Sequence, residues 1–169
     1  MQAVERALCQ NWERLFSYAR RLSGSRDAAA DLLQSCALKA LSVAPPAEET
    51  RIRAWLFAIL RNIWIDEYRR SQVSAELGPN EPDDGRWRYD NRLIAEITVR
   101  QAFDRLEPPH REILELIELA GFRYAEAAEI LDVPVGTVMS RLSRARLSLL
   151  EAIEGGNVRA LATRRRQAS

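Results

Sequence analysis

The chain of 169 residues has few of the side chains on which catalytic and metal sites depend: two cysteines and one histidine. Cys9 and Cys36 are far apart, with no C-x-x-C pair, and His110 lies in a Pro-Pro-His-Arg-Glu segment at a predicted helix start. A zinc site or a histidine-dependent nucleophile needs more ligands or partners than these. The chain also lacks a glycine-rich phosphate loop, and its acids are scattered over predicted helix surfaces. We therefore expect no metal, no cofactor and no enzymatic activity.

Long apolar runs are missing as well. None approaches the roughly 18 residues that a membrane-spanning helix requires, and no signal peptide is visible. These absences predict a cytoplasmic protein that does not insert into a membrane.

Lysine is almost absent. Lys39 is the only lysine among 25 basic residues, so arginine carries nearly all of the positive charge. Arginine suits phosphate and base recognition, although a GC-rich genome gives the same bias. The net charge of +1 conceals basic segments at 51–70, 137–146 and 159–166 and an acidic one at 76–84. Nucleic-acid affinity follows such local patches rather than the total charge.

Residues 124–150 predict a short helix, a tight turn and a longer helix. Pro134 cannot continue a helix and restricts the residue before it. Gly136 suits a turn conformation, and Thr137 is the predicted N-cap of the second helix. The pattern is typical of a helix-turn-helix.

The second of these helices is predicted to have two chemically different sides. Apolar residues recur at helical spacing on one side, namely Val138, Leu142, Ala145 and Leu149. The opposite side carries Ser140, Ser143, Arg144 and Leu147, with Arg141 and Arg146 on the flanks and no acid between residues 137 and 150. A helix with an apolar back and an Arg/Ser front can lie in a DNA major groove, where arginine binds guanine edges and phosphates. An ordinary helical hairpin with a solvated basic face is the alternative.

Residues 135–146, Val-Gly-Thr-Val-Met-Ser-Arg-Leu-Ser-Arg-Ala-Arg, closely resemble the promoter-reading helix of bacterial RNA polymerase sigma factors of the extracytoplasmic-function (group IV) type. The resemblance implies an all-α fold of two small helical domains joined by a flexible linker, the second carrying the helix-turn-helix. It also implies that this second domain binds the minus-thirty-five promoter element as duplex. The DNA-contacting residues would then be Thr137, Ser140, Arg141, Ser143, Arg144 and Arg146.

The N-terminal part predicts three helices that form a domain over residues 1–72. The first helix spans residues 4–22, the second ends near residue 41, and the third starts near residues 48–50. The apolar stripe of the first helix is predicted to be core and consists of Leu8, Trp12, Leu15, Phe16, Ala19 and Leu22. Ser25 can cap the second helix.

Residues 24–34 resemble the polymerase-binding segment of the same family. The resemblance implies that Asp31, Gln34 and Leu38, on the outer side of the second helix, bind core RNA polymerase. Ala30 stands where many members have a second acid, which would weaken part of this contact. On the residues alone, a solvated surface is the favoured interpretation of Asp31 and Gln34.

Residues 54–70, on the third helix, resemble the family segment that melts the minus-ten promoter element. Single-stranded DNA binding needs a cationic track and surfaces that stack on or enclose unpaired bases. Arginines supply the track, and Asn62 and Asp66 can hydrogen-bond a flipped base. The predicted minus-ten contacts are Arg53, Arg61, Asn62, Asp66, Arg69 and Arg70. A merely solvated basic face is the alternative, and Trp64 and Tyr68 can be either stacking groups or core.

Between the two domains the sequence predicts a linker over residues 73–92, because glycine, proline and acids replace the apolar period there. The second domain is predicted to span residues 93–155, closing at Gly155-Gly156. A basic tail follows at residues 156–169.

The two DNA-facing motifs occur in the order and spacing of the family, so the chain is identified as a member of the extracytoplasmic-function sigma factors. That implies core RNA polymerase and promoter DNA as partners and promoter-specific transcription initiation as the function. It also implies an anti-sigma factor as regulator, since no sensory domain is visible. The alternatives are a stand-alone transcriptional regulator, which would usually bring a ligand or receiver domain, and a sigma mimic that sequesters an anti-sigma factor.

Overall fold

The computed structural model describes the backbone of residues 2–74 and 99–167 and the side chains of residues 2–71 and 99–154. Within these ranges the chain is helical and contains no strand. It divides into two compact units, which confirms the predicted all-α fold with two helical domains. Residues 75–92 of the predicted linker lie outside the described residues, and the predicted domain boundaries stay predictions.

The first unit consists of three helices. They are α1 (Gln2–Ser23), α2 (Arg26–Ser42) and α3 (Ile52–Ser74), and a 3-10 turn over Glu49–Arg51 leads directly into α3. Each helix packs against the other two. A three-helix arrangement of this kind buries one stripe of each helix and leaves the rest to solvent.

The second unit is also helical. It comprises the described end of α4 (residues 99–104), α5 (Pro108–Leu114) with a π-helical turn over Glu115–Leu119, the first five residues of α6 (Tyr124–Leu131) and α7 (Val135–Gln167). The predicted second domain is described only from residue 99, and α4 ends at residue 104. α5 packs against α7, so the helix that carries the predicted DNA contacts is held by its own unit.

The core of the first unit differs from the predicted stripe at two aromatic residues. Trp12 was predicted to be core, but 47% of its surface is exposed, whereas Tyr18 is buried. The Tyr18 ring packs on Phe57 of α3, with ring centroids 5.3 Å apart. The prediction for Trp12 was wrong because helical spacing places several residues near one face, and only contact with α3 decides which of them are covered.

The ends of α1 and α2 follow from local sequence. Gly24 adopts a positive φ of 78°, and its N–H donates to the Arg20 carbonyl at 2.9 Å, which ends α1. The predicted N-cap Ser25 is confirmed, since its Oγ accepts from the Ala28 N–H at 3.1 Å. The two helices are thus joined by a tight, well-capped corner.

Cys36 lies in the core and Cys9 on the surface. Burial raises the pKa of the Cys36 thiol to about 12. The thiolate, which is the reactive form of cysteine, is therefore negligible at Cys36 at neutral pH.

α7 is longer than predicted. Gly155-Gly156 was expected to end the domain, but the helix continues through both glycines to Gln167. The cost of two helical glycines, about 1 kcal/mol each relative to alanine, is spread over a helix of 33 residues that is otherwise rich in strong helix formers. No helix in the described part of the chain is long and apolar enough to cross a bilayer.

Two glycines of the second unit provide a matched test of backbone conformation. Gly121 has a φ of +71°, whereas Gly136 lies in α7 without a positive φ, and neither has a neighbour within 4 Å of an added Cβ. We expect Gly121→Ala to lower the free energy of unfolding by about 1 kcal/mol, because alanine is strained in the left-handed region. Gly136→Ala should leave it unchanged or raise it by up to about 1 kcal/mol.

Urea denaturation of the full chain, followed by circular dichroism, measures both changes. Equal shifts for the two variants would contradict the conformational difference between these glycines.

Candidate nucleic-acid interface

The turn between α6 and α7 is built from backbone hydrogen bonds around Asp132. Asp132 has a φ of 54°, in the left-handed region. The Val133 N–H donates to the Ala128 carbonyl at 3.1 Å and the Asp132 N–H to the Glu129 carbonyl at 3.4 Å. This is the Schellman pattern of helix ends, with aspartate in the position that glycine usually takes. The sequence predicted the turn but not the role of Asp132.

α7 begins earlier than its predicted N-cap. The carbonyl of Pro134 accepts from the N–H groups of Thr137 and Val138, at 2.9 and 3.2 Å, and the helix starts at Val135. Thr137 therefore lies inside the first turn, and the prediction that it caps the helix was wrong. The reason is that Pro134, which ends the preceding segment, also supplies the first helical carbonyl.

The two sides of α7 agree with the sequence pattern. Val138, Leu142 and Ala145 are at most 2% exposed, and Leu149 is half-buried. On the opposite side the exposed residues are Ser140, Ser143, Arg144 and Leu147. The apolar side of the helix is thus fixed in the core, and the opposite side presents hydroxyl and guanidinium groups to solvent. Such a front can hydrogen-bond base edges and phosphates.

The arginines on the flanks of this front have different environments. Arg141 is half-buried. Arg146 donates from Nε, at 3.0 Å, and from Nη2 to Oε1 of Glu118 in the π-helical turn. This hydrogen bond is the main reason that the pKa of Arg146 is raised above its ordinary value. Arg144 has no ion pair with any described residue, so its guanidinium remains available to a ligand.

In the first unit, the predicted minus-ten residues fall into two groups. Asn62, Asp66, Arg69 and Arg70 are exposed, and at about 100° per residue they lie within roughly one third of the circumference of α3. They form a polar face with two amide or carboxylate groups beside two guanidinium groups. That combination can bind both bases and phosphates.

Arg53 and Arg61 do not belong to this polar face. Both are half-buried, and Arg53 lies about 180° around α3 from Asn62 and about 13 Å along the axis. Arg53 instead lines a groove of about 330 Å³ together with Arg6 and Arg14 of α1. Two of the six predicted minus-ten residues, Arg53 and Arg61, therefore lie apart from the other four.

Two aromatic residues of α3 stack on each other beside this polar face. The ring centroids of Trp64 and Tyr68 are 5.6 Å apart with an interplanar angle of 27°. Trp64 is half-buried, and Tyr68 is 51% exposed. The pair thus combines a packing role for Trp64 with an accessible ring at Tyr68.

The predicted polymerase-binding residues lie together on α2. Asp31, Gln34 and Leu38 are all exposed, and their spacing places them on one face of the helix. Leu38 is 65% exposed. An exposed leucine beside a carboxylate and an amide is a surface that a protein partner can cover.

The sequence did not predict three side chains that form hydrogen bonds within the second unit. Glu118 binds Arg146, Glu126 Oε2 accepts from the Arg123 N–H at 2.8 Å, and Arg111 Nη2 donates to the carbonyls of Asp104 and Leu106, both at 2.9 Å. Glu126 completes half of a capping box at the start of α6. The usual sequence signal for that box was hidden, because Arg123 stands where serine or threonine would be expected.

Family models match both units of the chain. Residues 10–73 match sigma-70 region 2, and residues 96–149 match sigma-70, region 4. The first range includes all the predicted minus-ten and polymerase-binding residues, and the second includes residues 124–149 of the helix-turn-helix with all of its predicted DNA contacts.

Individual proteins resemble the chain over most of its length. It is 35% identical to the ECF RNA polymerase sigma factor EcfG of Rhodopseudomonas palustris (strain TIE-1) over 153 residues, 83% of this chain and 81% of that one. It is 33% identical to the ECF RNA polymerase sigma factor SigC of Mycobacterium tuberculosis (strain CDC 1551 / Oshkosh), over 91% of this chain and 83% of that one.

Among solved structures, the sigma factor RpoE in complex with the anti-sigma factor NepR from Bartonella quintana is similar. It has a TM-score of 0.68 and 28% identity, covering 91% of this chain and 98% of that chain. Sigma factors bind core RNA polymerase and promoter DNA. The exposed Arg/Ser front of α7, the two matching regions and the extent of these similarities lead to one conclusion: the chain belongs to the extracytoplasmic-function sigma factors of bacterial RNA polymerase.

Proposed function

We propose that this sigma factor recognises a promoter at two places, the minus-thirty-five element as duplex through α7 and the opened minus-ten strand through α3. The observation that carries the proposal is the acid-free front of α7. It holds exposed serines and Arg144 on a helix whose opposite side is at most 2% exposed at Val138, Leu142 and Ala145. A helix fixed by its back can hold side chains in the narrow range of geometry that base-edge hydrogen bonds require.

The polar face of α3 supports the second half of the proposal. Asn62 and Asp66 can hydrogen-bond the edge of an unpaired base, and Arg69 and Arg70 can bind the backbone phosphates on either side. Tyr68 adds an accessible ring within the same part of the helix. The α2 face of Asp31, Gln34 and Leu38 would meanwhile bind core polymerase, in the cytoplasm where the enzyme acts.

Regulation by an anti-sigma factor is a further part of the proposal. The similar sigma factor of Bartonella quintana was solved in complex with the anti-sigma factor NepR. In this chain, Leu147 is 58% exposed on the Arg/Ser front of α7. A partner that covers this leucine would also cover Arg144 and so prevent promoter binding.

The base-reading role of Arg144 gives a first prediction. Arg144→Ala should weaken binding to the cognate minus-thirty-five duplex by about 1–3 kcal/mol, because a bidentate base contact is lost, and should change binding to a scrambled duplex much less. Fluorescence anisotropy of the full chain with both duplexes measures this.

Arg144→Lys is the matched control for charge. A lysine keeps the positive charge but not the bidentate fork, so the cognate preference should fall as in Arg144→Ala. Equal losses on cognate and scrambled duplex in Arg144→Ala, with recovery in Arg144→Lys, would identify a phosphate contact instead.

The minus-ten role of α3 gives a second prediction. Asn62→Ala and Asp66→Ala should leave closed-complex formation by the polymerase holoenzyme nearly intact but reduce promoter opening, because both residues would bind bases only after they unpair. Permanganate reactivity of thymines in the promoter reports the opening. Glu67→Ala, which lies on a different side of α3, is the control and should open the promoter normally. Unchanged thymine reactivity in both test variants would refute the assignment.

The regulatory part gives a third prediction. A protein that co-purifies with the chain from unstressed native cells should inhibit promoter-dependent transcription when it is added back to core polymerase and this chain. A partner that binds without changing transcription would argue against an anti-sigma role. Absence of any promoter-dependent transcript from core polymerase with the chain alone would contradict the initiation function itself.

A further inference from the structure

The Arg146 side chain lies on the flank of α7, between the DNA-reading front and the buried back. Arg146 and Arg144 are two residues apart, so they point about 160° away from each other around the helix. On this flank Arg146 meets Glu118 with Nε and Nη2 on the same carboxylate oxygen. A guanidinium that is engaged by a protein carboxylate in this way has fewer donors left for a DNA phosphate.

Glu118 belongs to a distorted part of the chain. It lies in the π-helical turn at the end of α5, where the Ala120 N–H donates to the Glu115 carbonyl at 2.8 Å. Such wide turns are uncommon and frequently occur at functional positions. The turn ends at Leu119, two residues before Gly121, which has a positive φ. The ion pair thus joins this turn to the helix that carries the predicted base contacts, across 28 residues of sequence.

The pair is too exposed to be a major source of stability. The side chains of Arg146 and Glu118 are 55% and 46% exposed, and ion pairs with such access to water contribute little to folding. Two donors on one acceptor nevertheless define an orientation, since the planar guanidinium must face the carboxylate edge. We therefore expect the pair to affect the orientation of α7 about its own axis rather than the stability of the domain.

We propose that Glu118 is a positioning residue for promoter recognition: by holding Arg146 against the π-helical turn, it fixes the rotation of α7 that directs Arg144 at the bases. Arg146 acts in this way through Glu118 and not as a contact to DNA phosphate. This inference rests on the proposed binding of the minus-thirty-five duplex by α7.

The direction in which DNA affinity changes when Glu118 is neutralised distinguishes a positioning role from a simple effect of charge. Glu118 is an acid in a domain that binds a polyanion, so its neutralisation should strengthen DNA binding if only charge matters. If Glu118 positions α7, its neutralisation should weaken binding to the cognate duplex and leave binding to a scrambled duplex equal or stronger. Opposite outcomes are thus expected from the two roles.

The experiment measures the affinity of the full chain for the cognate minus-thirty-five duplex and a scrambled duplex of equal length. Glu118→Gln should lose cognate affinity by about 3-fold or more, in the range of coupled neighbouring residues, while its scrambled-duplex affinity does not fall. Glu154→Gln removes an exposed acid further along α7 and provides the pure charge control, with equal or stronger binding to both duplexes. Cognate binding by Glu118→Gln that matches Glu154→Gln would overturn the proposal.

A charge exchange tests the same pair with no change in net charge. Glu118→Arg and Arg146→Glu should each lose cognate preference, and the double variant should recover part of it, because the pair is restored with its charges reversed. A phosphate contact at Arg146 predicts no recovery, since the double variant places an acid at position 146. It also predicts that Arg146→Ala lowers the slope of log affinity against log salt by about 1, whereas the positioning role predicts an unchanged slope.

Failure of this proposal is distinguishable from failure of the proposed function. If α7 does not recognise duplex DNA, the unmodified chain will show no preference for the cognate duplex. With that preference present, a double variant no better than the single ones rejects the role of the pair alone.

Discussion

Everything proposed for the second domain depends on one constraint: the helix that faces DNA must be held firmly by its back while its front stays in water. Val138, Leu142 and Ala145 satisfy the first condition, because they are at most 2% exposed and α5 packs against α7. Close packing confines such a helix to a narrow range of rotation, within which an ion pair on its flank can still select the orientation. The serines and Arg144 on the other side can then be rigid enough to distinguish bases.

In the first domain, too, each helix is held by a buried side while its other side remains in water. Its three helices share a core around Tyr18 and Phe57, and each helix leaves a polar face outside. On α2 that face contains Asp31, Gln34 and the exposed Leu38, and on α3 it contains Asn62 and Asp66. A core of modest size thereby supports two surfaces of distinct chemistry, one suited to a protein partner and one to unpaired bases.

The arginines show why a count of charges overstates the DNA-binding surface. Arg111 binds backbone carbonyls at the end of α4, Arg146 binds Glu118, and Arg6 lies 3.3 Å from Glu49. These side chains organise the protein itself, and only a subset, such as Arg144, is presented to a ligand. In a chain with a single lysine, arginine has to serve structure and recognition together.

The sequence alone determined the helices, the two-domain organisation, the helix-turn-helix and the buried side of α7, because these follow from helical periodicity and from residues close in sequence. It also determined the cap at Ser25, which is local. Only the tertiary structure decided that Trp12 is exposed and Tyr18 is core, since both fit the helical period and contact with α3 selects between them. Likewise, the groove that Arg53 shares with Arg6 and Arg14 of α1 and the capture of Arg146 by Glu118 depend on distances that arise only when helices far apart in sequence pack together.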